Sequence, residues 1–517
     1  MDLVFPQTMQ RMDRRTIDHV GTPSVVLMDR ASRGAVETLV DHFELPTASS
    51  PLFLCGTGNN GGDGLAMATL LHHRGHTPQC ILLGRPSDLS PDAAIYFQIA
   101  QQLEIPIDEA ADEAALESLL DDLSSFDLLV DALLGTGLDR PLAGRYRRAV
   151  EWLQNQTTPL VAIDIPTGID GRTGQIRGTT SRADLTTTFG FAKSGQLLDP
   201  GRAHCGKLVV IDIGIPPEVC DHIGFDALGL TPEWLKHHLP ARPLDLHKGG
   251  AGRTLHVGGR PPTPGAIILS ARGALVGGAG LISVATDHRS ALMAPARSPE
   301  IMGQSVVDDG PSVDLDGLLA LLQKADVAVV GPGLGTDDTA YSILECCLQE
   351  ASAALVLDAD ALNLLAAHDE LRDALSERAC EEPVFLTPHP GEMARLQNET
   401  VPDVLQAPMA AAQSLAASTD AIVIHKTAAT VVADARGSLA INRTGNPGMA
   451  TGGMGDALTG LCASALCDLR DPFEAACFAV ALHGFAGDRA RQRTGVRGLS
   501  VEALLDEIPS IWQSLER

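Results

Sequence analysis

The sequence is short of aromatic residues and of positive charge. Phe, Trp and Tyr together make up 3% of the 517 residues, so the interior must be built mainly from Ala, Leu, Val and Ile. The 38 Lys and Arg residues face 65 Asp and Glu residues, which gives a formal net charge of −27 at pH 7. Nucleic acids and anionic membranes favour clustered basic residues, so this balance argues against both as partners. An anionic ligand would have to be held by backbone N–H groups and helix N-termini.

Two further features are missing, a C-x-x-C motif and a long apolar segment at the N-terminus. The ten cysteines are scattered, and only Cys346 and Cys347 are adjacent, which argues against a disulfide framework or a cysteine-bound metal. We expect most of them to be small buried residues in a reducing compartment. The start, MDLVFPQTMQRMDRRTIDHV, lacks the apolar run of a signal peptide or a membrane-spanning helix. These absences predict a cytoplasmic protein.

What is present is an alternation of short apolar runs, which end in Gly or Asp, with longer helical segments. The clearest runs are PLFLCGTG, QCILLGR, DLLVDALLGTG, PLVAIDIPTG, TLHVGG, VAVVGPGLG, ALVLDADAL and EPVFLTPHPGE. This rhythm predicts buried parallel strands in βαβ units, and hence the α/β class. A stretch rich in Pro, Gly and turn residues near 216–250 indicates a boundary. We predict two α/β domains, residues 1–220 and 246–517, joined by a linker at 221–245.

The segment FLCGTGNNGGDGLAMATLLHHRG, residues 53–75, contains G-x-G-x-x-G at Gly56, Gly58 and Gly61. A strand, a Gly-rich turn and a helix form the context in which this motif holds the pyrophosphate of a dinucleotide. Two features depart from a site for NAD as a cofactor. The next strand ends in LLGR, where an acidic residue would hold the ribose, and the turn carries additional Asn and Asp side chains. A conventional NAD-cofactor site is therefore the less favoured interpretation.

Acidic residues follow two more apolar runs. Asp131 comes after DLLV and Asp164 after PLVAI, and each precedes a loop that contains Gly. One such Asp would usually cap a helix or fix a turn. Three acid-bearing Gly loops at the same ends of neighbouring strands favour a shared site instead, because ligands of such sheets bind beyond the carboxyl ends of the strands.

The motifs GNNGGDG, DALLGTGL and AIDIPTGIDGRTG together resemble the N-terminal epimerase domain of the NAD(P)H-hydrate repair enzymes, the YjeF-type N-domain. The resemblance implies a Rossmann-like three-layer fold that binds a hydrated NAD(P)H as its substrate, with Asp164 as the acid/base group beside the ring. It also implies a potassium ion held by Asn60, Asp131 and Thr167, where the family often has Ser in place of Thr167. Lys193 either assists this reaction or lies on the surface. The implied substrate contacts are Asn59, Asn60, Gly61, Gly62, Asp63, Gly135, Thr136, Gly137, Leu138, Asp139, Arg140, Pro141 and Asp164.

In the C-terminal half, the segment NPGMATGGMGDALTGLCASAL is the most informative. Gly452, Gly453 and Gly455 precede Asp456, and the following residues are typical of a helix. A Gly-rich turn at a helix N-terminus presents free N–H groups to an anion and stabilises negative charge on a phosphoryl group. The Asp can accept a hydroxyl proton, as in phosphoryl transfer to an alcohol. The alternative, an Asp that only caps the helix, leaves the run of glycines unexplained.

The set GPGLG, DADALN, TPHPGE and NPGMATGGMGDALTG resembles the ADP/ATP-dependent NAD(P)HX dehydratases, a branch of the ribokinase-like superfamily. The resemblance implies that Ala266, Gly335, His389 and Asp456 face the hydrate, although a lone His in TPHPGE is equally typical of a loop hydrogen bond. Many members have Lys-Gly where this chain has Lys426 and Thr427. The implied nucleotide contacts are Lys426, Thr427, Ala428, Ala429, Thr430, Asn446, Gly448, Thr451, Gly452, Gly453 and Gly455.

Together the two resemblances imply a bifunctional enzyme of metabolite repair. The N-terminal domain would interconvert the R and S hydrates of NADH and NADPH, and the C-terminal domain would dehydrate the S form with Mg²⁺ and ADP or ATP, ADP being favoured. Asp456 would take the proton of the C6 hydroxyl, and the hydroxyl oxygen would attack the terminal phosphoryl group of the nucleotide. This transfer releases AMP if ADP is used, and phosphate then leaves the ring. The alternatives are a ribokinase-like small-molecule kinase with a nucleotide-sensing N-terminal domain, and a non-enzymatic nucleotide-binding module. We expect a homo-oligomer that acts on small molecules.

Overall fold

The computed structural model describes residues 1–123, 125–138, 140–308 and 312–516. The chain divides into a first unit, Asp2–Ala227, and a second unit, Leu228–Arg517 together with Met1. The predicted linker at 221–245 contains a strand and a helix, and Leu230, Trp234 and Leu235 lie in the hydrophobic core of the second unit. Much of this segment is therefore part of the second unit.

The first unit alternates buried strands with helices. The strands are β1 (Asp2–Val4), β2 (Pro51–Cys55), β3 (Gln79–Leu82), β4 (Ile107–Glu109), β5 (Leu128–Ala132), β6 (Leu160–Ile163), β7 (Leu185–Phe189), β8 (Ala192–Lys193) and β9 (Lys207–Ile211). The helices are α1 (Pro6–Arg15), α2 (Ser24–Phe43), α3 (Asn59–His73), α4 (Pro91–Gln102), α5 (Glu113–Asp121), α6 (Gly144–Gln154), α7 (Gly201–His204) and α8 (Pro217–Ile223).

The main sheet of the first unit is seven-stranded and parallel, with the order β4-β3-β2-β5-β6-β7-β9. Alternate residues of β2 enter different cores, since Phe53 lies in one cluster and Leu52 and Leu54 lie in another. Helices therefore cover both faces of the sheet in three layers. The strand order reverses between β2 and β5, which is the point where such sheets bind ligands. The Gly-rich turn leaves β2 at this point.

The second unit is built in the same way. Its strands are β10 (Ala227–Leu230), β11 (Arg253–Val257), β12 (Leu281–Asp287), β13 (Ile301–Val307), β14 (Val327–Val330), β15 (Ala354–Leu357), β16 (Val384–Leu386), β17 (Ile422–His425), β18 (Val431–Ala433) and β19 (Leu439–Asn442). Its helices are α9 (Pro232–His237), α10 (Pro264–Gly277), α11 (His288–Arg297), α12 (Leu315–Leu322), α13 (Asp338–Glu350), α14 (Asp360–Ala367), α15 (Asp369–Glu381), α16 (Pro390–Gln397), α17 (Val401–Gln406), α18 (Pro408–Thr419), α19 (Met454–Asp468), α20 (Pro472–Thr494) and α21 (Val501–Leu515).

The sheet of the second unit has the order β13-β12-β11-β14-β15-β16-β17-β18-β19-β10. It is parallel from β13 to β17, and β18 runs antiparallel to both of its neighbours. Helices α10 and α19 pack closely because Gly460 has no side chain, since a Cβ there would lie 1.9 Å from the carbonyl oxygen of Ser270. This contact sets the position at which α19 begins, at the carboxyl ends of the strands.

The predicted α/β class is confirmed, and every apolar run named above contains a strand of a parallel ladder. All ten cysteines are free and six of them are buried, as expected for residues that fill space in a core. Among the described residues, no helix combines the length and the apolar character that a membrane span requires.

Candidate functional site

Asp164 and Lys193 form a buried ion pair in the first unit. Nζ of Lys193 lies 2.7 Å from Oδ1 of Asp164, and it also donates to Oγ1 of Thr188 and to the carbonyl oxygen of Phe189, both at 2.9 Å. The Lys193 side chain is 1% exposed, so it is not a surface lysine. Burial alone would raise the pKa of Asp164, but the charge and the hydrogen bond of Lys193 hold this pKa below its ordinary value. Asp164 is therefore an ionised carboxylate at neutral pH.

The backbone around Asp164 fixes the direction of its carboxylate. Asp164 has a φ of 64°, a left-handed conformation that is uncommon outside Gly. Nε2 of Gln196 donates to the Asp164 carbonyl oxygen at 2.5 Å, and the N–H of Thr136 donates to Oδ2 of Asp164 at 3.4 Å. The carboxylate thus borders the loop that follows β5.

The Gly-rich loops of the first unit meet at Gly135. A Cβ on Gly135 would lie 3.0 Å from Oδ2 of Asp164 and 3.3 Å from Oδ1 of Asn60. Thr136 follows Gly135 and donates to the same carboxylate. Four of the predicted substrate contacts, Asn60, Gly135, Thr136 and Asp164, therefore lie together.

The glycines of the G-x-G-x-x-G motif have different roles. A Cβ on Gly56 would lie 2.0 Å from the carbonyl oxygen of Leu133, and a Cβ on Gly61 would lie 1.8 Å from that of Gly56. These two glycines allow the turn to pack against its own backbone and against β5. A Cβ on Gly58 would meet nothing within 4 Å, so Gly58 borders open space where a ligand can approach.

The other predicted contacts of the first unit are spread around this centre. Gly62 packs on Met28 and Ala93, and Oδ1 of Asn59 accepts a hydrogen bond from Ser90 at 2.7 Å. Burial, together with the charges of Asp164 and Asp13, raises the pKa of Asp63 well above its ordinary value. Gly137, Arg140 and Pro141 are exposed and Leu138 is half-buried. Asp139 lies outside the described residues.

Asp131 and Thr167 form a second polar centre in the first unit. Oδ1 of Asp131 accepts from the Thr167 hydroxyl at 2.7 Å, and Oδ2 accepts from the Thr167 N–H at 2.8 Å. Asp131 is fully buried, and burial raises its pKa although these hydrogen bonds oppose the shift. No described cationic side chain pairs with it in the structure. The carboxylate of Asp131, the hydroxyl of Thr167 and the amide of Asn60 all carry hard oxygen donors, the kind that hard cations prefer.

In the second unit, the centre is the ion pair of Lys426 and Asp358. Nζ of Lys426 lies 2.6 Å from Oδ1 of Asp358, whose side chain is 3% exposed. Burial opposes the charge on Lys426, but Asp358 and Glu392 raise its pKa above the ordinary value. Burial and the charge of Asp358 raise the pKa of Asp456 to about 6, despite the opposite effect of Lys426. Asp456 is thus poised to gain or lose a proton near neutral pH.

The Gly-rich turn before α19 has the predicted form. Gly453 caps the helix with a φ of 93°, and a Cβ there would lie 2.6 Å from Cδ1 of Leu269. A Cβ on Gly455 would lie 3.2 Å from Nζ of Lys426, whereas a Cβ on Gly452 would meet nothing within 4 Å. The turn therefore places free N–H groups of the first turn of α19 next to Asp456 and Lys426.

His389 caps α16, and its Nδ1 accepts from the N–H of Gly391 at 2.9 Å. The N–H of His389 donates to Oε2 of Glu392 at 2.7 Å, which completes a reciprocal cap. Burial raises the pKa of Glu392 to about 7. Burial, helped by the charges of Lys426 and Arg395, lowers the pKa of His389. The His389 side chain thus accepts a backbone hydrogen bond in the cap and is 51% exposed to solvent.

The remaining predicted residues of the second unit lie in loops or, for Ala266, in the first turn of α10. The N–H of Gly335 donates to Oδ2 of Asp360 at 2.8 Å, and Ala266 is half-buried in the first turn of α10. Thr427, Ala428, Ala429 and Thr430 form the turn between β17 and β18, in which Oγ1 of Thr427 donates to the carbonyl oxygen of Ala429 at 2.8 Å. Asn446 binds Asp488 through Nδ2 at 3.0 Å, and Oγ1 of Thr451 donates to the carbonyl oxygen of Gly448 at 3.3 Å.

No group of three His, Cys, Asp or Glu side chains in the described part of the chain is arranged to hold a metal ion. Mg²⁺ commonly takes one or two carboxylates together with the phosphates of a nucleotide, and the acidic groups around Lys426 fit that arrangement.

Comparisons with known proteins cover both units. Residues 24–195 match the family model of the YjeF-related protein N-terminus, and residues 254–510 match that of NAD(P)H-hydrate dehydratase. The bifunctional NAD(P)H-hydrate repair enzyme Nnr of Moorella thermoacetica is 36% identical over 521 residues, which cover 100% of this chain and 97% of that protein. The chain belongs to the family of bifunctional NAD(P)H-hydrate repair enzymes.

Two further comparisons agree with this family. The bifunctional NAD(P)H-hydrate repair enzyme Nnr of Escherichia coli is 33% identical over 509 residues, covering 98% of this chain and 93% of that enzyme. A crystal structure of a ribokinase-like superfamily protein from Enterococcus faecalis is 29% identical and superimposes with a TM-score of 0.50, covering 56% of this chain and 96% of that chain. The second unit therefore has the ribokinase-like fold.

Within this family framework, sequence reasoning missed several charged residues of the two centres. Asp358 and Glu392 lie within the motifs DADALN and TPHPGE but were not assigned a role. The sequence supports two interpretations of Lys193, and Asp13 lies in no motif. The position of Asp358 and Glu392 within those motifs was a signal that could have identified them. The ion pair between Lys193 and Asp164 can be seen only in the fold.

Proposed function

We propose that the first unit interconverts the R and S hydrates of NADH and NADPH, and that the second unit dehydrates the S hydrate at the expense of a nucleotide, with ADP favoured over ATP. The assignment of the epimerase to residues 1–220 and of the dehydratase to residues 246–517 is part of this proposal. The observation that carries it is the pair of Lys–Asp centres, each formed by residues at the ends of strands in its own unit. The family assignment favours this function over a kinase that releases a stable phosphorylated product.

In the epimerase reaction, Asp164 is the acid/base group beside the nicotinamide ring. Its carboxylate is held ionised by Lys193 and directed by Thr136, next to the loop of Asn60 and Gly135. Gly58 leaves room for the substrate pyrophosphate at the start of α3. The remaining contacts, Gly61, Gly62, Asp63 and the residues from Gly137 to Pro141, would line the rest of the dinucleotide.

Asn60, Asp131 and Thr167 would hold potassium in the first unit. The bound cation would compensate the buried charge of Asp131 and so order the loop between β5 and α6. This proposal predicts that the Asp131 carboxylate needs a cation, because burial without one raises its pKa.

In the dehydratase reaction, Asp456 takes the proton of the substrate C6 hydroxyl. The hydroxyl oxygen then attacks the terminal phosphoryl group of the nucleotide, and the N–H groups after Gly453 stabilise the charge that develops there. The C6–O bond then breaks with phosphate as the leaving group, assisted by the lone pair of the ring nitrogen, and loss of a proton from C5 restores the reduced ring. When bound with the nucleotide, Mg²⁺ neutralises charge on the phosphate oxygens. Lys426 and the turn Thr427–Thr430, together with the loop from Asn446 to Gly455, would hold the nucleotide.

The test supplies mixed R and S hydrates with ADP or with ATP, and follows NADH absorbance together with phosphate release. We expect regeneration of NADH with one phosphate released for each NADH, faster with ADP. Asp456→Asn should abolish regeneration, by a factor of about a hundred or more, and leave the R/S exchange unchanged. A stable phosphorylated hydrate, or full dehydration by Asp456→Asn, would refute the proposal.

A further inference from the structure

Gln196 is a buried amide to which the proposed epimerisation assigns no part. The residue is 2% exposed and ends the short turn Ser194–Gln196 that follows β8. Both ends of its amide are engaged, because Oε1 accepts from the N–H of Lys193 at 2.8 Å and Nε2 donates to the carbonyl oxygen of Asp164 at 2.5 Å. One side chain therefore joins the backbones of the two residues that form the ion pair of the first unit.

The backbone of Asp164 needs such support because its conformation is unusual. Its φ of 64° lies in the left-handed region, where a residue other than Gly persists only if its surroundings hold it there. The N–H of Asp164 donates to the carbonyl oxygen of Thr187 at 2.8 Å, and the carbonyl oxygen of Asp164 accepts from Gln196. These two bonds lie on either side of the Asp164 Cα atom, so together they fix the direction in which the side chain leaves the backbone.

The ammonium group of Lys193 is fully engaged within the protein. A lysine has three N–H donors, and those of Lys193 meet Oδ1 of Asp164, Oγ1 of Thr188 and the carbonyl oxygen of Phe189, all within 2.9 Å. The Lys193 side chain is also 1% exposed. Lys193 therefore acts on the reaction through Asp164, and the geometry of the pair depends on how the two backbones are held.

The two carboxylate oxygens of Asp164 have different surroundings. Oδ1 accepts from Nζ of Lys193 at 2.7 Å and from the hydroxyl of Thr188 at 3.1 Å. Oδ2 accepts from the N–H of Thr136 at 3.4 Å, and a Cβ on Gly135 would lie 3.0 Å from it. Oδ2 thus borders two of the predicted substrate contacts, and a change in the backbone angles of Asp164 would turn it away from them.

We propose that Gln196 is a positioning residue of the epimerase site, whose amide holds the backbones of Asp164 and Lys193 together and so directs Oδ2 of Asp164 toward the nicotinamide ring. Gln196 acts without touching the substrate. The role needs one donor and one acceptor at the two ends of a buried side chain, which an amide supplies. The inference rests on the proposed epimerisation, and it deepens that function by adding a residue outside the three sequence motifs.

Gln196→Met tests this role by R/S exchange of NADHX in the full chain, because Met is unbranched like Gln and makes neither hydrogen bond. We expect kcat to fall about tenfold or more, since a displaced catalytic group loses rate. KM should change less than about twofold, because the residues that line the dinucleotide are untouched. Gln154→Met is the control, since Nε2 of Gln154 donates to the carbonyl oxygen of Thr180 at 2.6 Å, and it should exchange as the wild type does.

Gln196→Glu distinguishes the two hydrogen bonds from simple packing. A protonated Glu can donate to the carbonyl oxygen of Asp164 and accept from the N–H of Lys193, whereas an ionised Glu only accepts and places an oxygen against that carbonyl oxygen. The charged residues joined to this amide, Asp164 and Lys193, pair with each other. The ratio of the variant kcat to the wild-type kcat should therefore be near one at about pH 5 and fall about tenfold or more by about pH 9.

Recovery of exchange at low pH shows in the same sample that Gln196→Glu is folded, and thermal unfolding checks Gln196→Met. Wild-type kcat in Gln196→Met, or a Gln196→Glu ratio that does not change with pH, would overturn the role of Gln196. Absence of exchange in the wild type would instead refute the proposed epimerisation itself.

Discussion

At the residue scale, one lysine in each unit pairs with only one of the neighbouring carboxyl groups. Lys193 holds Asp164 at 2.7 Å and Lys426 holds Asp358 at 2.6 Å. The carboxyl groups that lack such a partner, Asp13 and Asp456, have a pKa raised to about 6 by burial. Separation of the pKa values of neighbouring acids is how a site assigns acid and base roles at one pH.

The raised pKa of Asp456 predicts the pH dependence of dehydration. The base must be ionised to take the proton of the C6 hydroxyl, and it is protonated below its pKa of about 6. The rate of NADH regeneration from the S hydrate should therefore rise about tenfold for each pH unit below 6 and level off above it. The measurement is initial rate with saturating ADP and Mg²⁺ over about pH 5 to about pH 8. A rate that falls with pH over this range would exclude Asp456 as the base.

At the element scale, two Gly-rich turns lead into helices, one between β2 and α3 and one before α19. Each turn combines glycines that have different roles. Gly61 and Gly453 are required by the close approach of neighbouring atoms, whereas Gly58 and Gly452 border open space. The same run of glycines thus serves the packing of a helix against its loop and the access of an anionic ligand to the helix N-terminus.

Separate substitutions of Gly58 and Gly61, in the turn between β2 and α3, distinguish the packing role from the ligand-access role. A Cβ on Gly61 would collide with the carbonyl oxygen of Gly56 at 1.8 Å, so Gly61→Ala should destabilise the first unit by about 2 kcal/mol or more. Gly58→Ala meets no neighbour within 4 Å and should leave stability unchanged, while it raises KM for epimerisation by filling the ligand space. Denaturant unfolding and R/S exchange distinguish the two. Equal stability of Gly61→Ala and the wild type would contradict the packing role.

Elements were predictable from the sequence where a local pattern determines them. The apolar runs of β2, β5, β6, β14, β15 and β16 and the Gly-rich turns are local, and they indicated the strand ends where both centres lie. Partners distant in sequence were not predictable. Lys193 is 29 residues from Asp164, and Lys426 is 68 residues from Asp358, so no spacing rule reveals that either lysine pairs with its aspartate. The short strand and helix at 227–237 were missed because they are too short to show a period.

At the scale of the whole molecule, two units with separate centres act on the two forms of one substrate. Each centre has its own ion pair, acidic groups and Gly-rich turn. The net charge of −27 would repel a dinucleotide, so binding must depend on the local N–H groups of α3 and α19. The presence of both units in one chain has a chemical purpose only if the second unit accepts one epimer. If the second unit accepted both epimers, the R hydrate would not need to be converted into the S hydrate.

This division of labour predicts a stoichiometric difference between variants. With a mixture of R and S hydrates, excess ADP and Mg²⁺, the wild type should regenerate NADH from the whole mixture. Asn tolerates a φ of 64° as Asp does, so Asp164→Asn should keep the local backbone while it removes the charge that pairs with Lys193. This variant should lose epimerisation and keep dehydration. Its progress curve should start at the wild-type rate and reach a plateau at the S fraction of the mixture. Addition of the Asp456→Asn variant, which retains a working first unit, should then restore complete conversion. A plateau of equal height for Asp164→Asn and the wild type would mean that the second unit accepts both epimers, or that Asp164 is not the group that exchanges them.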